Sequence, residues 1–175
     1  VELVDEALEL ARRGHRDWRQ WEQWSYKRRG VPLLGLARAL GVKDPRDLAA
    51  VTKLSQGLHL REILRNMQAD LNAGYVHFPI ATLGEYGVTT EMLQARKNTV
   101  ETTALAVAMW DRATALIVKA DAGLEGKISP SAARWVRGWR AAGARRIGLG
   151  DLFTKEPSGS PFASFLAFVN AAMNR

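Results

Sequence analysis

The central feature of this sequence is the stretch Gly57-Leu58-His59-Leu60-Arg61-Glu62-Ile63-Leu64-Arg65-Asn66-Met67-Gln68-Ala69-Asp70. It is predicted to form the middle of one long helix from Asp47 to Gly74. Asp44-Pro45 before this helix and Asn72-Ala73-Gly74 after it are typical start and stop signals.

Polar and apolar residues divide this helix into stripes. At about 100° per residue, a set of polar side chains falls within one quadrant. These are Thr52, Ser55, His59, Glu62, Asn66 and Asp70, with Gln56 at the edge. Apolar residues flank this polar stripe on both sides, namely Leu60, Leu64, Met67 and Leu71 on one side and Val51, Leu54 and Leu58 on the other. The pattern predicts a buried central helix whose polar stripe faces a cavity. The alternative is an ordinary amphipathic helix with the stripe in water.

Three successive segments in and after this helix resemble the squalene/phytoene synthase family. In that family the second aspartate-rich helix reads I-L-R-D-x-x-x-D, followed by Gly-Arg-x-Tyr-Leu-Pro and then F-G-(V/L)-(S/T). The matching residues here are Ile63, Leu64, Arg65, Asp70, Gly74, Pro79, Gly87, Val88 and Thr89. The resemblance implies an all-α helical bundle of the isoprenoid synthase type, with residues 1–175 as a single domain. It also implies an upstream helix with a first aspartate motif, which this sequence has either lost or does not include.

The residues that carry chemistry in the family are changed here. Two carboxylates one helical turn apart share Mg²⁺ ions, which hold a diphosphate leaving group. Asn66 occupies the first of these positions, and only Asp70 remains of the pair. Glu62 lies about 12 Å from Asp70 by helical rise, so the two cannot chelate one ion. A neutral amide oxygen is a weaker Mg²⁺ ligand than a carboxylate.

Further departures surround the motif. His59 stands at a family glutamine, Glu62 at an asparagine and His77 at the tyrosine before the proline. The family's basic residues after the helix, which would contact phosphate, fall on Asn72, Ala73 and Tyr75. His15, His59 and His77 are scattered along the chain and form no nucleophilic constellation.

These departures predict a vestigial cavity without catalytic residues, metal or cofactor, formed by Gln56, His59, Glu62, Asn66 and Asp70. The resemblance is then closest to the family's non-catalytic mitochondrial branch, which is similar to an assembly factor for respiratory complex I. It implies a protein of the mitochondrial matrix or inner-membrane periphery that acts through protein contacts. The alternative is a prenyl diphosphate transferase that uses Mg²⁺.

The charge balance indicates an acidic partner. The chain has 25 Lys and Arg against 18 Asp and Glu, a net charge of +7. RNA, anionic lipid or an acidic protein face would all be attracted. The absence of cysteine excludes disulfides and thiolate metal sites.

Two basic segments are candidates for a docking surface. The first, Arg12 to Arg29, interleaves arginine with Trp18, Trp21 and Trp24, which suits a protein interface, single-stranded nucleic acid or simple core packing. The second is a predicted helix after Pro130. Its arginines on one face are Arg134, Arg137 and Arg140. Together these residues are predicted to bind a protein complex or a ribonucleoprotein, with an RNA-binding role in a mitochondrial ribosome or its assembly intermediate as an alternative.

The remaining segments are also predicted to be helical. Val31 to Gly41 is expected to bury Leu33, Leu36 and Leu40. A turn or two follows over Ile80–Tyr86, and one helix extends from Thr89 to about Ala122. The apolar stripe within Pro161–Asn174 is too short to cross a bilayer, so no transmembrane segment is predicted. Peripheral membrane contact stays an alternative, and no strands are expected.

Overall fold

The computed structural model describes residues 14–39, 41–124, 133 and 136–138. Over this part of the chain the helices are α1 (Trp18–Ser25), α2 (Val31–Ala39), α3 (Pro45–Asn72), α4 (Ile80–Glu85), α5 (Thr90–Gln94) and α6 (Val100–Leu124). A π-helical segment, Tyr26–Gly30, joins α1 to α2 without interruption. The described residues include no strand, only an isolated parallel bridge between His15 and Pro79. The all-α prediction is therefore confirmed.

Helix α3 is the predicted central helix. Asp44 caps its start by accepting a hydrogen bond from the backbone N–H of Arg46 at 2.7 Å, and Pro45 occupies the first turn. It runs for 28 residues and ends at Asn72, and Gly74 then reverses the chain with a φ of 80°. The start lies two residues before the predicted one, because Pro45 fits the first helical turn, where no intrahelical N–H bond is needed.

The core lies on both flanks of α3, as the two apolar stripes predict. On one flank Leu60, Leu64, Met67 and Leu71 pack in a cluster that includes Trp21 and Leu105. On the other, Val51 and Leu54 are buried and Leu58 packs against them. Helix α6 packs along α3 and contributes residues to both clusters. The two clusters cover the apolar flanks of α3, and the polar stripe lies on the surface of the helix between them.

One predicted helix is in fact two. The chain from Thr89 onward forms α5, breaks at Ala95 to Thr99, and resumes as α6. Arg96 adopts a φ of 53° in the break. Thr99 then starts α6, because its hydroxyl accepts from the Thr102 N–H at 3.2 Å and its own N–H donates to the Thr102 hydroxyl at 2.9 Å. This reciprocal cap satisfies N–H groups that a continuous helix would have paired internally.

The buried side of α2 also differs from the prediction. Leu33, Leu34 and Ala37 are buried, whereas Leu36 is 42% exposed. Leu40, Arg134, Arg140 and the segment 161–174 lie outside the described residues. None of the described helices is long and apolar enough to cross a membrane.

Candidate functional site

The first half of the polar stripe is covered by α1 and the π-helical segment. Ser25 Oγ lies 2.8 Å from Nδ1 of His59, and the Arg29 guanidinium forms an ion pair with Glu62. The Trp24 ring stacks on the His59 ring with centroids 4.8 Å apart. Ser55 and His59 are buried, so this half of the stripe faces a neighbouring helix rather than water. Gln56 and Asn66 are half-buried beside it.

The second half of the stripe ends at a small pocket. Asp70 Oδ2 lies 3.4 Å from Nε2 of His77, and the Asp70 side chain is 30% exposed. The ring of Tyr75 stacks beside His77, with centroids 6.0 Å apart. The apolar lining of the pocket consists of Ile63, Met67, Leu71, Val76, Phe78 and Leu93. Asp70 is therefore a carboxylate in a mostly hydrocarbon-lined pocket, and the other cavity residues lie away from it.

Three histidines that are distant in sequence meet around one tryptophan. The Trp24 centroid lies 4.7 Å from the ring of His15, 4.8 Å from that of His59 and 5.3 Å from that of His77. The three histidines are far apart in the sequence, but the structure brings their rings together around Trp24. Sequence reasoning could not find this cluster, because His15, Trp24 and His77 are brought together only when α1 and the segment after α3 pack on α3.

The field around this cluster is positive. Burial, and then the charges of Arg29 and Arg28 and of the other two histidines, lower the pKa of His59 to about 3. Burial, and then His77, lower the pKa of His15 to about 4. Both imidazoles are therefore neutral at neutral pH and cannot donate a proton as imidazolium. His59 therefore contributes a hydrogen bond to Ser25 and a stacking surface, and His15 contributes a ring contact with Trp24, rather than charge.

The described residues do not fit a Mg²⁺ ion by themselves. Within them no three His, Asp or Glu side chains are arranged to hold a metal. One turn before Asp70 stands the amide of Asn66, and Glu62 is paired with Arg29. A Mg²⁺ ion prefers several oxygen ligands of which one or two are carboxylates, and Asp70 alone supplies one.

The predicted partner-binding tryptophans belong to the core. Trp21 is fully buried and Trp24 is 8% exposed, so neither offers a surface to a partner. Trp18 packs against the same core cluster, and the Arg112 guanidinium lies 3.8 Å from its ring centroid. The core-packing alternative therefore describes these residues, because α1 is pressed against α3 along this side. Of the three predicted arginines, Arg137 is described and exposed.

Comparison with known proteins agrees with this fold. The family model for squalene/phytoene synthases matches residues 6–149. A phytoene synthase from Pseudescherichia vulneris is 27% identical over 141 residues, which is 81% of this chain and 44% of that protein. The crystal structure of squalene synthase HpnC from Alicyclobacillus acidocaldarius superimposes with a TM-score of 0.70 at 20% identity, over 74% of this chain and 49% of that one. The chain thus spans less than half the length of these relatives.

These matches correct one prediction. Both named relatives are enzymes, so the expectation that this chain is a non-catalytic family member is wrong. It rested on Asn66 replacing a carboxylate and on the missing basic residues at positions 72, 73 and 75, whereas Asp70 is retained and partly exposed at the pocket. Neither relative belongs to a mitochondrial non-catalytic branch, so that narrower resemblance has no support from them.

Proposed function

The chain belongs to the squalene/phytoene synthase family, and on that premise we propose that the protein is an isoprenoid synthase that acts on a prenyl diphosphate. The observation that carries the proposal is the position of Asp70, whose partly exposed carboxylate shares a pocket with apolar side chains. A prenyl chain is a hydrocarbon, and the apolar side chains Ile63, Met67 and Phe78 beside Asp70 match it in chemistry.

The pocket suggests what Asp70 does in such a reaction. When the carbon–oxygen bond of a prenyl diphosphate breaks, its electron pair leaves with the diphosphate and a positive charge develops on the prenyl chain. A carboxylate beside an apolar pocket would stabilise that charge electrostatically, with the prenyl chain lying against the apolar side chains. His77, 3.4 Å from Asp70, holds the carboxylate in place. The described residues do not by themselves form a site for Mg²⁺.

The other expectations from sequence stay predictions. They are a mitochondrial location and a protein or ribonucleoprotein partner. Arg137 is the described residue on which such a partner would bind.

The proposal is tested by turnover of the full-length protein. Purified protein is incubated with farnesyl or geranylgeranyl diphosphate, with and without Mg²⁺ and NADPH, and prenyl products and released diphosphate are measured by mass spectrometry. We expect product, and about a hundredfold loss of rate in Asp70→Asn, since a single preorganised electrostatic contact contributes that much in other enzymes. Asp111→Asn is the matched control, because Asp111 is exposed on α6.

Two results would overturn the proposal. One is the absence of both prenyl product and released diphosphate in every condition. The other is an Asp70→Asn variant that turns over as fast as the wild type and the Asp111→Asn control.

A further inference from the structure

Three consecutive cations lie on the π-helical segment beside the polar stripe. Lys27, Arg28 and Arg29 are all exposed. Arg29 pairs with Glu62, and the Arg28 guanidinium lies 5.7 Å from the centroid of the Trp24 ring. The two arginines thus lie at the half of the stripe opposite Asp70.

The backbone holds this segment close to α3. The helix from Trp18 to Ala39 is continuous, with a π turn over Tyr26–Gly30. Segments of this kind are rare and are frequent at functional sites. Gly30 is buried, and a Cβ atom there would lie 2.8 Å from Tyr26 Cδ2 and 3.5 Å from Ser55 Oγ. The close contact with Ser55 fixes the side from which Arg28 and Arg29 approach the stripe.

The arginines retain capacity for an anion. A guanidinium has five N–H donors, and the ion pair with Glu62 leaves the Arg29 side chain 44% exposed. The charges of Arg29 and Arg28 both act on the nearby His59 ring and lower its pKa. An added anion would therefore be attracted to this end of the stripe.

We propose that Arg28 and Arg29 form a diphosphate-binding site that contacts the phosphate oxygens directly through their guanidinium groups. Guanidinium forks match phosphate geometry and form charge-assisted hydrogen bonds. The site also separates the anion from Asp70, whose carboxylate would repel it. The identity of the ligand as a prenyl diphosphate rests on the proposed function.

The inference is tested by calorimetric titration of sodium pyrophosphate into the full-length protein in EDTA. We expect the double variant Arg28→Gln/Arg29→Gln to bind at least about tenfold more weakly, since charge-assisted hydrogen bonds contribute on that scale. Arg19→Gln/Arg38→Gln is the matched control, because both residues are exposed on the same continuous helix and the net charge changes equally. Glu62→Gln should bind several-fold more tightly, since it releases Arg29.

Thermal melts of all variants establish that they fold, and an exposed ion pair contributes little to stability. Equal weakening in the two double variants would overturn the inference, because binding would then follow net charge alone. Sulfate binding as tightly as pyrophosphate, or no gain in Glu62→Gln, would also overturn it. Asp70→Asn should leave pyrophosphate affinity unchanged. A protein that binds pyrophosphate through these arginines but makes no product would contradict the proposed function and leave this site standing.

Discussion

Oγ of Ser25 and Nδ1 of His59 lie 2.8 Å apart in a buried hydrogen bond that joins α1 to the polar stripe of α3. The two residues are 34 positions apart in sequence. The contact gives the neutral His59 ring a partner at the point where Trp21 and Trp24 stack on it. It therefore sets the position of α1 and of the arginines that follow it.

Ser25→Ala should lower the free energy of unfolding by about 1–3 kcal/mol, because the substitution leaves a buried ring nitrogen without a partner. Urea unfolding measures the change. Ser55→Ala is the control, since the equally buried Ser55 hydroxyl donates only to the Thr52 carbonyl of its own helix at 2.7 Å. We expect a smaller loss there, and equal losses would contradict the importance assigned to the Ser25–His59 contact.

Stability should fall on mild acidification. The pKa values of His15 and His59 are lowered from 6.5 to about 4 and about 3 in the folded state. Above pH 6.5 both residues are neutral whether folded or unfolded, so stability is at its full value. Below it the unfolded chain takes up protons that the folded chain does not, which costs about 2 kcal/mol for each histidine at pH 5.

Denaturant unfolding at pH 7, 6 and 5 measures this dependence on pH. The variant His59→Gln removes one titrating group, so its stability should fall less steeply over the same range. A free energy of unfolding that does not change between pH 7 and pH 5 would show that these imidazoles are not held neutral.

Gly57→Ala should destabilise the protein by about 1–3 kcal/mol through overpacking. A Cβ atom at Gly57 would lie 2.7 Å from Ile117 Cγ1 and 2.9 Å from the Ala113 carbonyl oxygen, where α6 crosses α3. Gly35→Ala is the matched control, because no atom lies within 4 Å of its added Cβ and the residue is inside α2. That control should stabilise by about 0.5–1 kcal/mol, so thermal midpoints should shift in opposite directions.

Asn66→Asp should create measurable Mg²⁺ affinity in the full-length protein. It places a second carboxylate one helical turn before Asp70, where the two can share an ion. Calorimetric titration of Mg²⁺ should show binding in the variant, and no binding or binding at least about tenfold weaker in the wild type. Asn72→Asp, an exposed site at the end of α3, makes the same chemical change without a carboxylate three or four residues away on its face and should have no effect.

Elements with local signals were predictable from sequence. Asp44 and Pro45 mark the start of α3 and Gly74 its reversal, and each acts on backbone groups within a few residues. The break between α5 and α6 was missed because the segment Ala95 to Thr99 contains neither glycine nor proline. The start of α6 is capped by reciprocal hydrogen bonds between Thr99 and Thr102. In the break before it, Arg96 adopts a positive φ, although arginine does not favour one.

The candidate site was predictable only in part. The stripe itself, and Asp70 on it, follow from helical periodicity and from the family resemblance. The residues that pair with the stripe could not be predicted from sequence. Arg29 pairs with Glu62 and His77 with Asp70, and in each pair the two residues come from different structural elements. The spacing of the three tryptophans is compatible with core packing and with an exposed binding surface. The burial of Trp21 and Trp24 in the structure favours core packing.

Local sequence alone specified the length of α3, its two apolar flanks and the polar strip between them, because caps and a period of 3.6 residues act within one helix. Which side chains contact that polar strip was decided by the packing of the other helices against α3. Trp24 meets three histidines, and Arg29 reaches Glu62, because the continuous helix from α1 to α2 crosses α3 at Gly30 and Ser55. Contacts of this kind depend on distances through space, which side-chain spacing along a single helix does not encode.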